Sequence, residues 1–526
     1  MIHKIKNYIK EDWRYFLITI FFMALTVMIV TVNCSPGSNV IKINAPFENV
    51  YVTISYFLIF ILGGLIAFFI RNADKENIKL EKLYLWVAIP IGIVMCICYP
   101  LGKIPDEDIH ARKAMAIAQG NFFSVADEDG NATDMINAKV HEIVSRATTS
   151  YEDAWRRLNL SETEEKIEMQ YNTMALYAPI CHAPQALGIV ITRLFGAGIT
   201  VQCYAGRLVN FFVAVYLIYN AIKLMPYKKY LLMYIALLPV TFNTLPTLSS
   251  DTLALSMVLF YIAYIFHLKY DDVIIGNKQK VLLVITTIVI ALCKIVYMPL
   301  CLLLFLLPKE KFKSLKSKNI FVIILIIAAI AINLIWLIYC SRFLIEFNLG
   351  VNSKEQIIYV LTKPINYCIT LFRTMNFHFN TYYSALSGDA LGTYDVKASE
   401  IFIYMAIVVS SMLFITREEN EERKIKFDWL TRVICVLVFV AIVVLIYTSL
   451  YVQWTPLKRD FVLGVQARYF LPILMLTAII FDNDKIVIKD KINRFLLTFV
   501  LFFNINVATA TIYTYYFGIL IDGYLK

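Results

Sequence analysis

The sequence predicts an all-α polytopic membrane protein, a bundle of about 13 transmembrane helices with two sizeable extracytoplasmic loop regions. Of the 526 residues, 59% are hydrophobic and only 17% are charged, whereas soluble domains carry about 25% charged residues. The 33 Tyr and 36 Phe are typical of aromatic belts at both membrane interfaces. The net charge of +10 is spread over short loops, so it indicates membrane topology and attraction to lipid surfaces, and nucleic acid is not an expected partner.

The distribution of basic residues around the apolar runs sets the topology. A basic stretch, residues 4–14, leads into the first run and places the N-terminus in the cytoplasm by the positive-inside rule. No small-residue cleavage site precedes the next run, so the first is a retained anchor, and the count of spans puts the C-terminus outside. The predicted spans are 14–32, 51–70, 83–101, 201–224, 230–248, 252–268, the two halves of 281–308, 319–340, 400–416, 428–451, 468–481 and 494–516.

The apolar stretch 281–308 has lysines on both sides, so both of its ends are expected in the cytoplasm. One long helix fits its length, but only a hairpin of two half-spans satisfies both groups of lysines. Pro299 supplies a break, and Lys294 is expected near the turn. An intramembrane Lys needs a partner or a water-filled cavity, which makes Lys294 a functional candidate. The alternative is that Lys294 snorkels to the outer interface.

The first outer loop region, 102–200, has several expected elements. Residues 111–120 are predicted to form a helix that ends at a glycine. The segment 126–134 is acidic and expected to be weakly structured, and a charged helix is predicted around 151–171. Residues 176–196 are apolar but interrupted by Pro and Gly, which favours an interfacial helix over a full span.

The chain divides into three predicted regions. Residues 1–82 form two N-terminal transmembrane helices, and 83–340 form a transmembrane core that includes the first outer loop. Residues 341–526 contain a second outer loop, with an amphipathic helix near 354–375, and the C-terminal helices. The ten Cys form no CxxC pair and no His/Cys cluster, so neither a disulfide framework nor a zinc site is predicted.

An acidic cluster follows the third predicted span. Residues 106–110 contain three carboxylates and an imidazole, Asp-Glu-Asp-Ile-His, directly after Pro105. The structural interpretation is helix capping, since Pro suits the first turn and acids suit the positive end of the helix dipole. The functional interpretation is a catalytic group at headgroup depth, where the reactive end of a lipid-linked substrate lies.

The predicted topology brings many polar residues to the outer membrane boundary. A carboxylate there can accept a proton from an acceptor hydroxyl, Lys and Arg can stabilise a phosphate leaving group, and an acidic pair can hold a hard divalent cation such as Mg or Mn. The alternative is that charged residues at the boundary simply anchor helix ends. The residues are Asp106, Glu107, Asp108, His110, His182, Arg207, Asp251, Lys294, Lys458, Arg459 and Arg468.

Four motifs carry a resemblance to a known family. They are Pro105-Asp106-Glu107-x-x-His110, Ser249-Ser250-Asp251, Lys294-x-x-Tyr297-x-Pro299 and Gly464-Val-Gln-Ala-Arg468-Tyr-Phe-Leu-Pro472. Together they resemble a bacterial multi-pass family of unknown function, the DUF family numbered 2142. In the last motif that family usually has a second Gly where this chain has Ala467.

That family is in turn similar to the GT-C glycosyltransferases of membranes, and the similarity implies roles for particular residues. Asp106 or Glu107 would be the catalytic base or a metal-binding acid, Lys294 and Arg468 would hold the phosphate of a polyprenyl-phosphate sugar, and Arg207 would support the site. The implied reaction is inverting sugar transfer to a glycan, lipid or protein outside the bacterial cytoplasmic membrane. The further residues expected to contact substrate are His110, His182, Asp251, Tyr297, Gln466 and Tyr469.

Two other functions compete with the glycosyltransferase. A flippase or polymerase of lipid-linked glycans for cell-envelope polysaccharide also needs many spans and basic outer residues. A flippase needs a polar path open to the cytoplasm, and the inner face offers only short charged turns. A non-enzymatic scaffold for envelope assembly would tolerate substitution of the acidic cluster.

Overall fold

The computed structural model describes residues 13–33, 42–43, 45–73, 78–140, 160, 163, 165–170, 174–343, 350–386, 388–391, 396–418, 425–481, 486–488 and 492–519. This part of the chain is mostly helical. In chain order its α-helices, α1 to α18, are Trp13–Asn33, Ala45–Tyr56, Gly64–Ala73, Leu80–Cys98, Glu107–Ala118, Ala183–Leu194, Ile199–Leu224, Lys229–Leu237, Pro239–Thr244, Asp251–Tyr270, Asn277–Cys293, Leu315–Cys340, Ser353–Thr362, Pro364–Leu386, Glu400–Ile415, Trp429–Gln453, Leu474–Ile480 and Ile492–Ile512.

Several helices have lengths and compositions suited to crossing a membrane. Among the described residues eight segments meet that standard, and each coincides with a span predicted from the sequence. The other five predicted spans do not, so the total of about 13 stays a prediction. The eight are Trp13–Val32, Val50–Ala73, Leu80–Cys98, Ile199–Leu224, Asp251–Tyr270, Leu315–Cys340, Trp429–Gln453 and Arg494–Tyr516.

Burial separates inner helices from outer ones. In α10 and in Arg494–Tyr516, 89% of the apolar window is buried inside the protein, whereas the corresponding share in α12 is 22%. Helices that are apolar all round and buried form the centre of a bundle, and those with exposed apolar faces suit contact with lipid. Asp251, one of the predicted site residues, is the first residue of α10 and therefore lies at the end of a central helix.

Helices α6 and α7 pack at short range through small residues. A Cβ added to Gly188 on α6 would lie 2.5 Å from the backbone oxygen of Ala205 on α7, so only glycine allows this approach. Helix α6 has 12 residues and keeps Leu187 and Leu194 exposed. These features agree with the interfacial helix predicted for 176–196. The close contact fixes α7, and with it Arg207, against the outer loop region.

The predicted span 230–248 is not one helix. Helix α8 ends at Leu237, Leu238 is extended, and α9 begins at Pro239, because proline removes a backbone donor and restricts the residue before it. Leu237 keeps a hydrogen-bond partner, since the Asn504 amide donates to its carbonyl at 2.8 Å. The chain therefore crosses this region as two short helices.

The stretch 281–308 does reverse direction, as the lysines on both sides predicted. Helix α11 ends at Cys293, Lys294 is extended (φ −159°, ψ 107°), and a 3-10 helix, Ile295–Leu306, packs back against α11. The Ile275 amide donates to the Lys311 carbonyl at 3.1 Å, so the two ends of the hairpin meet. The predicted break at Pro299 is wrong, because the turn lies at Lys294 and Pro299 lies inside the returning helix.

The loop region 102–200 contains a small sheet that was not predicted from the sequence. Strands β2 and β3, Val125–Ala126 and Ala132–Asn137, form an antiparallel hairpin across the acidic segment expected to be weakly structured. Strand β4, Lys166–Gln170, pairs antiparallel with β3, Thr133 lying opposite Gln170. The predicted helix 151–171 is therefore wrong over 166–170, and residues 151–159 lie outside the described part.

Other predicted loop elements are present. Helix α5 continues to Ala118 and is followed by Gly120, whose φ of +91° suits glycine at a helix C-terminus. The amphipathic helix predicted near 354–375 is two helices, α13 and α14, separated at Lys363 before Pro364. Short two-residue pairings complete the described strands: β1, Lys42–Ile43, with β7, Gly518–Ile519, and β5, Arg417–Glu418, with β6, Val487–Ile488.

Candidate active site

Four charged side chains from distant parts of the sequence form a continuous array. An Arg468 Nη2 atom lies 3.1 Å from an Asp106 carboxylate oxygen. The Arg468 Nε atom lies 3.4 Å from one Asp251 oxygen, and the Lys294 Nζ atom lies 2.6 Å from the other. We call Asp106, Arg468, Asp251 and Lys294 the charged array. Its acids and cations alternate, so each Asp faces at least one cation.

Breaks and ends of helices position all four members of the array. Asp106 immediately precedes α5 and has a left-handed backbone (φ 64°), a conformation that Asp tolerates better than most residues. Asp251 is the first residue of α10, and Lys294 is the extended residue at the hairpin turn. Arg468 lies in the 3-10 helix Ala467–Tyr469. Helix ends leave backbone and side chains unconstrained by the next turn, which lets the four charges point toward one another.

Two tyrosines support the cations. The Tyr469 ring centroid lies 4.3 Å from Lys294 Nζ and 5.5 Å from Arg468 Cζ, both within the range of cation–π interactions. The Tyr297 hydroxyl donates to the Tyr469 carbonyl at 2.9 Å. This bond holds the 3-10 helix Ala467–Tyr469 against the hairpin that turns at Lys294. The Gln466 carbonyl accepts from the Tyr469 amide at 3.2 Å, so Gln466 shapes the same turn through its backbone.

The members of the charged array differ in their exposure to solvent. The Asp106 side chain is 49% exposed, whereas those of Arg468 and Asp251 are 11% and 13% exposed. A small cavity, about 10 Å³, lies among Asp251, Lys294, Arg468 and the two tyrosines, which is room for about one water molecule. A ligand from outside therefore meets Asp106 first and Arg468 directly behind it.

Glu107 does not belong to this array. Its side chain is fully buried and forms a bidentate ion pair with Arg207, with Arg207 Nε 2.7 Å from Oε1. The Leu248 and Gly102 amides also donate to its two oxygens, each at 3.1 Å. Arg207 is buried too and donates to the carbonyls of Cys96, Tyr99 and Pro100. Glu107, predicted as a catalytic acid, therefore lies in a buried ion pair apart from the charged array, and Arg207, predicted to support the site, holds Glu107 and the end of α4.

The carboxylates do not fit the metal site predicted at Asp106 and Glu107. A Mg²⁺ ion is commonly held by one or two carboxylates together with waters and substrate phosphates, so two acids that share an ion must face the same space. Here the two side chains belong to different ion pairs, and Glu107 has both oxygens occupied by donors. Within the described residues no three His, Cys, Asp or Glu side chains lie together as metal ligands would.

His110 and His182 form a buried pair beside the array. His110 Nδ1 and His182 Nε2 are 2.9 Å apart, so one nitrogen donates and the other accepts. The Tyr177 ring packs edge-on against His110, with centroids 5.1 Å apart. Burial lowers the pKa of both imidazoles below the ordinary value of 6.5, although the charges of Asp251 and Asp106 partly oppose this for His110. Both rings are therefore neutral at pH 7, which lets the contact between them form.

Acidification should destabilise the protein through this pair. The pKa of each imidazole is lower in the folded state, so the unfolded state binds more protons as the pH falls through about 6.5, and the loss of stability approaches about 1.4 kcal/mol per pH unit for each histidine. Thermal unfolding of the detergent-purified protein between pH 7.5 and 5.5 measures this slope. His182→Gln should flatten the slope, because it removes one of the two buried imidazoles. An unchanged slope in His182→Gln would contradict the assignment.

Three observations at the site were not predicted from the sequence. Tyr177 contacts both histidines, and its only signal was its place five residues before His182 in the interfacial stretch. Asp108, one turn from Arg112, pairs with it at 3.7 Å and joins neither the array nor the buried pair. Lys458 and Arg459 have exposed side chains, and among the described residues they form no ion pair with Asp106 or Asp251.

Comparison with known proteins gives a family and no closer relative. No curated protein and no solved structure matches the chain. A family described as "Predicted membrane protein (DUF2142)" matches residues 89–477, well over half of the chain, and the matched range contains the whole charged array. This match confirms the family resemblance drawn from the four motifs. The chain belongs to the DUF2142 family of predicted membrane proteins.

Proposed function

We propose that this protein is an integral membrane glycosyltransferase that transfers a sugar from polyprenyl phosphate to a glycan, lipid or protein acceptor outside the cytoplasmic membrane. The observation that carries the proposal is the half-exposed Asp106 carboxylate bonded to Arg468 at the open edge of a charged array. Asp251 of the array is the first residue of α10, a helix long and apolar enough to span a membrane. The end of a membrane-spanning helix is a depth at which a lipid phosphate would present its sugar.

Asp106 would act as the general base. The acceptor hydroxyl gives its proton to an Asp106 oxygen as its own oxygen forms a bond to the anomeric carbon. The bond from that carbon to the phosphate oxygen breaks, and its electron pair leaves with polyprenyl phosphate. Attack from the side opposite the leaving group inverts the configuration, and a positioned base contributes about 10²–10⁴-fold to such a step.

Lys294 and Arg468 would stabilise the leaving phosphate. Negative charge builds on the phosphate oxygens as the bond to the sugar breaks, and fixed cations in a partly buried site stabilise that charge strongly. Both cations are mostly buried, and their contacts with Asp251 and Tyr469 hold them in place. Preorganised cations need little rearrangement during the reaction, which is the requirement for electrostatic catalysis.

The backbone at Asp106 supports the choice of this acid. A left-handed conformation at a residue other than glycine costs about 1–3 kcal/mol and is common at functional sites, where surrounding structure maintains it. In a merely capping role the aspartate would accept a hydrogen bond from the first turn of α5, and Asp106 makes no such side-chain bond. The Asp106 side chain therefore contacts Arg468 and does not cap α5.

The test is a pair of isosteric substitutions on neighbouring acids. Asp106→Asn should lower sugar transfer from polyprenyl-phosphate donors about a hundredfold or more, because the amide cannot accept the proton. Asp108→Asn removes the same charge two residues away, at a side chain that pairs with Arg112, and should retain near-normal transfer. Full transfer by Asp106→Asn would refute the proposal.

Detergent solution separates a transferase from the alternative flippase. Donor and acceptor reach the same side of a solubilised protein, so a transferase still forms product there. A flippase has no measurable action without a bilayer. Product formation by the wild type, lost in Asp106→Asn, is the expected result, and absence of product with a panel of donors and acceptors that the native membranes do use would contradict it.

A further inference from the structure

We infer that Asp106 and the donor phosphate compete for Arg468, so that the donor binds first and its arrival releases the base. This inference rests on the proposed function, because it concerns the order of events at the same site. In the structure the cations of the array are paired with carboxylates. A phosphate can bind them only by adding to these pairs or by replacing one carboxylate, and the geometry differs between the two acids.

Asp251 keeps its ion pairs when a phosphate binds. Its two oxygens face two different cations, Lys294 at 2.6 Å and Arg468 at 3.4 Å. Its side chain is mostly buried at the start of α10. Removing a mostly buried carboxylate from two cations would leave charges without partners, which is strongly unfavourable. A phosphate arriving from outside therefore cannot displace Asp251.

Asp106 is the acid that the phosphate displaces from Arg468. Among the described residues its one ion pair is that with Arg468, at 3.1 Å, and its side chain is the most exposed in the array. Exposed ion pairs contribute little to stability because water solvates the separated charges. A phosphate offers more negative charge than a carboxylate and three oxygens, and the planar guanidinium binds such groups through two parallel N–H bonds. Exchange of Asp106 for phosphate at Arg468 is therefore favourable.

The exchange has a consequence for the order of binding. While Asp106 accepts from Arg468, that carboxylate oxygen is occupied by a donor and is not offered to an acceptor hydroxyl. Once Arg468 binds phosphate, the oxygen becomes available beside the sugar. The acceptor is then activated only when a donor is present, which protects the lipid-linked sugar site from premature occupation by the acceptor.

A binding measurement without transfer tests the exchange. Polyprenyl phosphate that carries no sugar serves as the probe, titrated into detergent-purified wild type, Asp106→Asn and Asp108→Asn. Asp106→Asn should bind the probe at least about fivefold more tightly, because the competing ion pair and the like charge are both removed. Asp108→Asn controls for the loss of one nearby negative charge and should stay within about twofold of wild type.

A double-mutant cycle tests whether the gain in phosphate binding depends on Arg468. In an Arg468→Lys background, where the guanidinium fork is absent, adding Asp106→Asn should tighten binding by no more than about twofold, the change allowed for loss of one nearby negative charge. Equal or weaker binding by Asp106→Asn, or an equal gain with and without Arg468, would overturn the exchange. Failure of sugar transfer in the wild type would instead refute the glycosyltransferase, so the two ideas fail by different measurements. Size-exclusion profiles of each variant verify that it is folded.

Discussion

Glu107→Gln should destabilise the protein by about 3–5 kcal/mol, a larger effect on stability than any substitution in the charged array. The variant leaves the Arg207 guanidinium fully buried without its counter-charge. Glutamine also presents one acceptor oxygen where glutamate presents two, so either the Leu248 or the Gly102 amide loses its partner. Thermal unfolding in detergent and the yield of folded protein in membranes measure the loss.

Two comparisons make this expectation specific. Asp106→Asn, one residue earlier, should unfold at a temperature close to that of wild type, because its side chain is half exposed. Replacing the ion pair by an apolar pair, Glu107→Met with Arg207→Leu, should not restore stability. Arg207 also donates to three backbone carbonyls at the end of α4, and these would remain buried without donors. Wild-type stability in Glu107→Gln would return Glu107 to the list of catalytic candidates.

The contrast between Asp106 and Glu107 shows what the sequence alone does not specify, which is the partner of each acid. Two adjacent acids after a span look alike in a sequence, and both were predicted to act in catalysis. What separates them is the backbone: Asp106 is left-handed and outside the helix, whereas Glu107 opens α5 with its side chain toward α7. The partners lie 100 and 362 residues further along the chain, Arg207 and Arg468. No local pattern specifies which acid meets which arginine.

Other parts of the site were predictable because they follow from the membrane. Lysines on both sides of 281–308 predicted the hairpin, and the turn of that hairpin holds Lys294 beside Asp251, which also contacts Arg468. The sheet of the outer loop had no comparable signal. Its strands are two to six residues long, and β3 pairs with β4 across a long intervening segment, so the pairing depends on tertiary contacts. The span 230–248 was predicted from hydropathy, which does not show that Pro239 divides the stretch into two helices.

Lys294→Met should lower sugar transfer by about 10³-fold, since it removes a cation from the phosphate that leaves in the reaction. The Lys294 side chain lies between the Asp251 carboxylate and the Tyr469 ring, which fixes its ammonium group at the edge of the cavity. The initial rate at saturating acceptor and the affinity for polyprenyl phosphate are the two measurements. Lys294→Arg, which keeps the charge, should recover part of both.

The partner of Lys294 supplies the control that separates phosphate binding from support of the fold. If the ion pair served only the fold, Lys294→Met and Asp251→Asn would weaken the protein alike, because each leaves one charge without its counter-charge. If Lys294 binds phosphate, the two variants should differ in their affinity for polyprenyl phosphate. Lys294→Met should lose affinity for polyprenyl phosphate about a hundredfold, whereas Asp251→Asn keeps both cations and should bind at least as tightly as wild type. Parallel losses of affinity in the two variants would mean that Lys294 holds Asp251 rather than the donor, and the assignment of the leaving-group site would then be wrong.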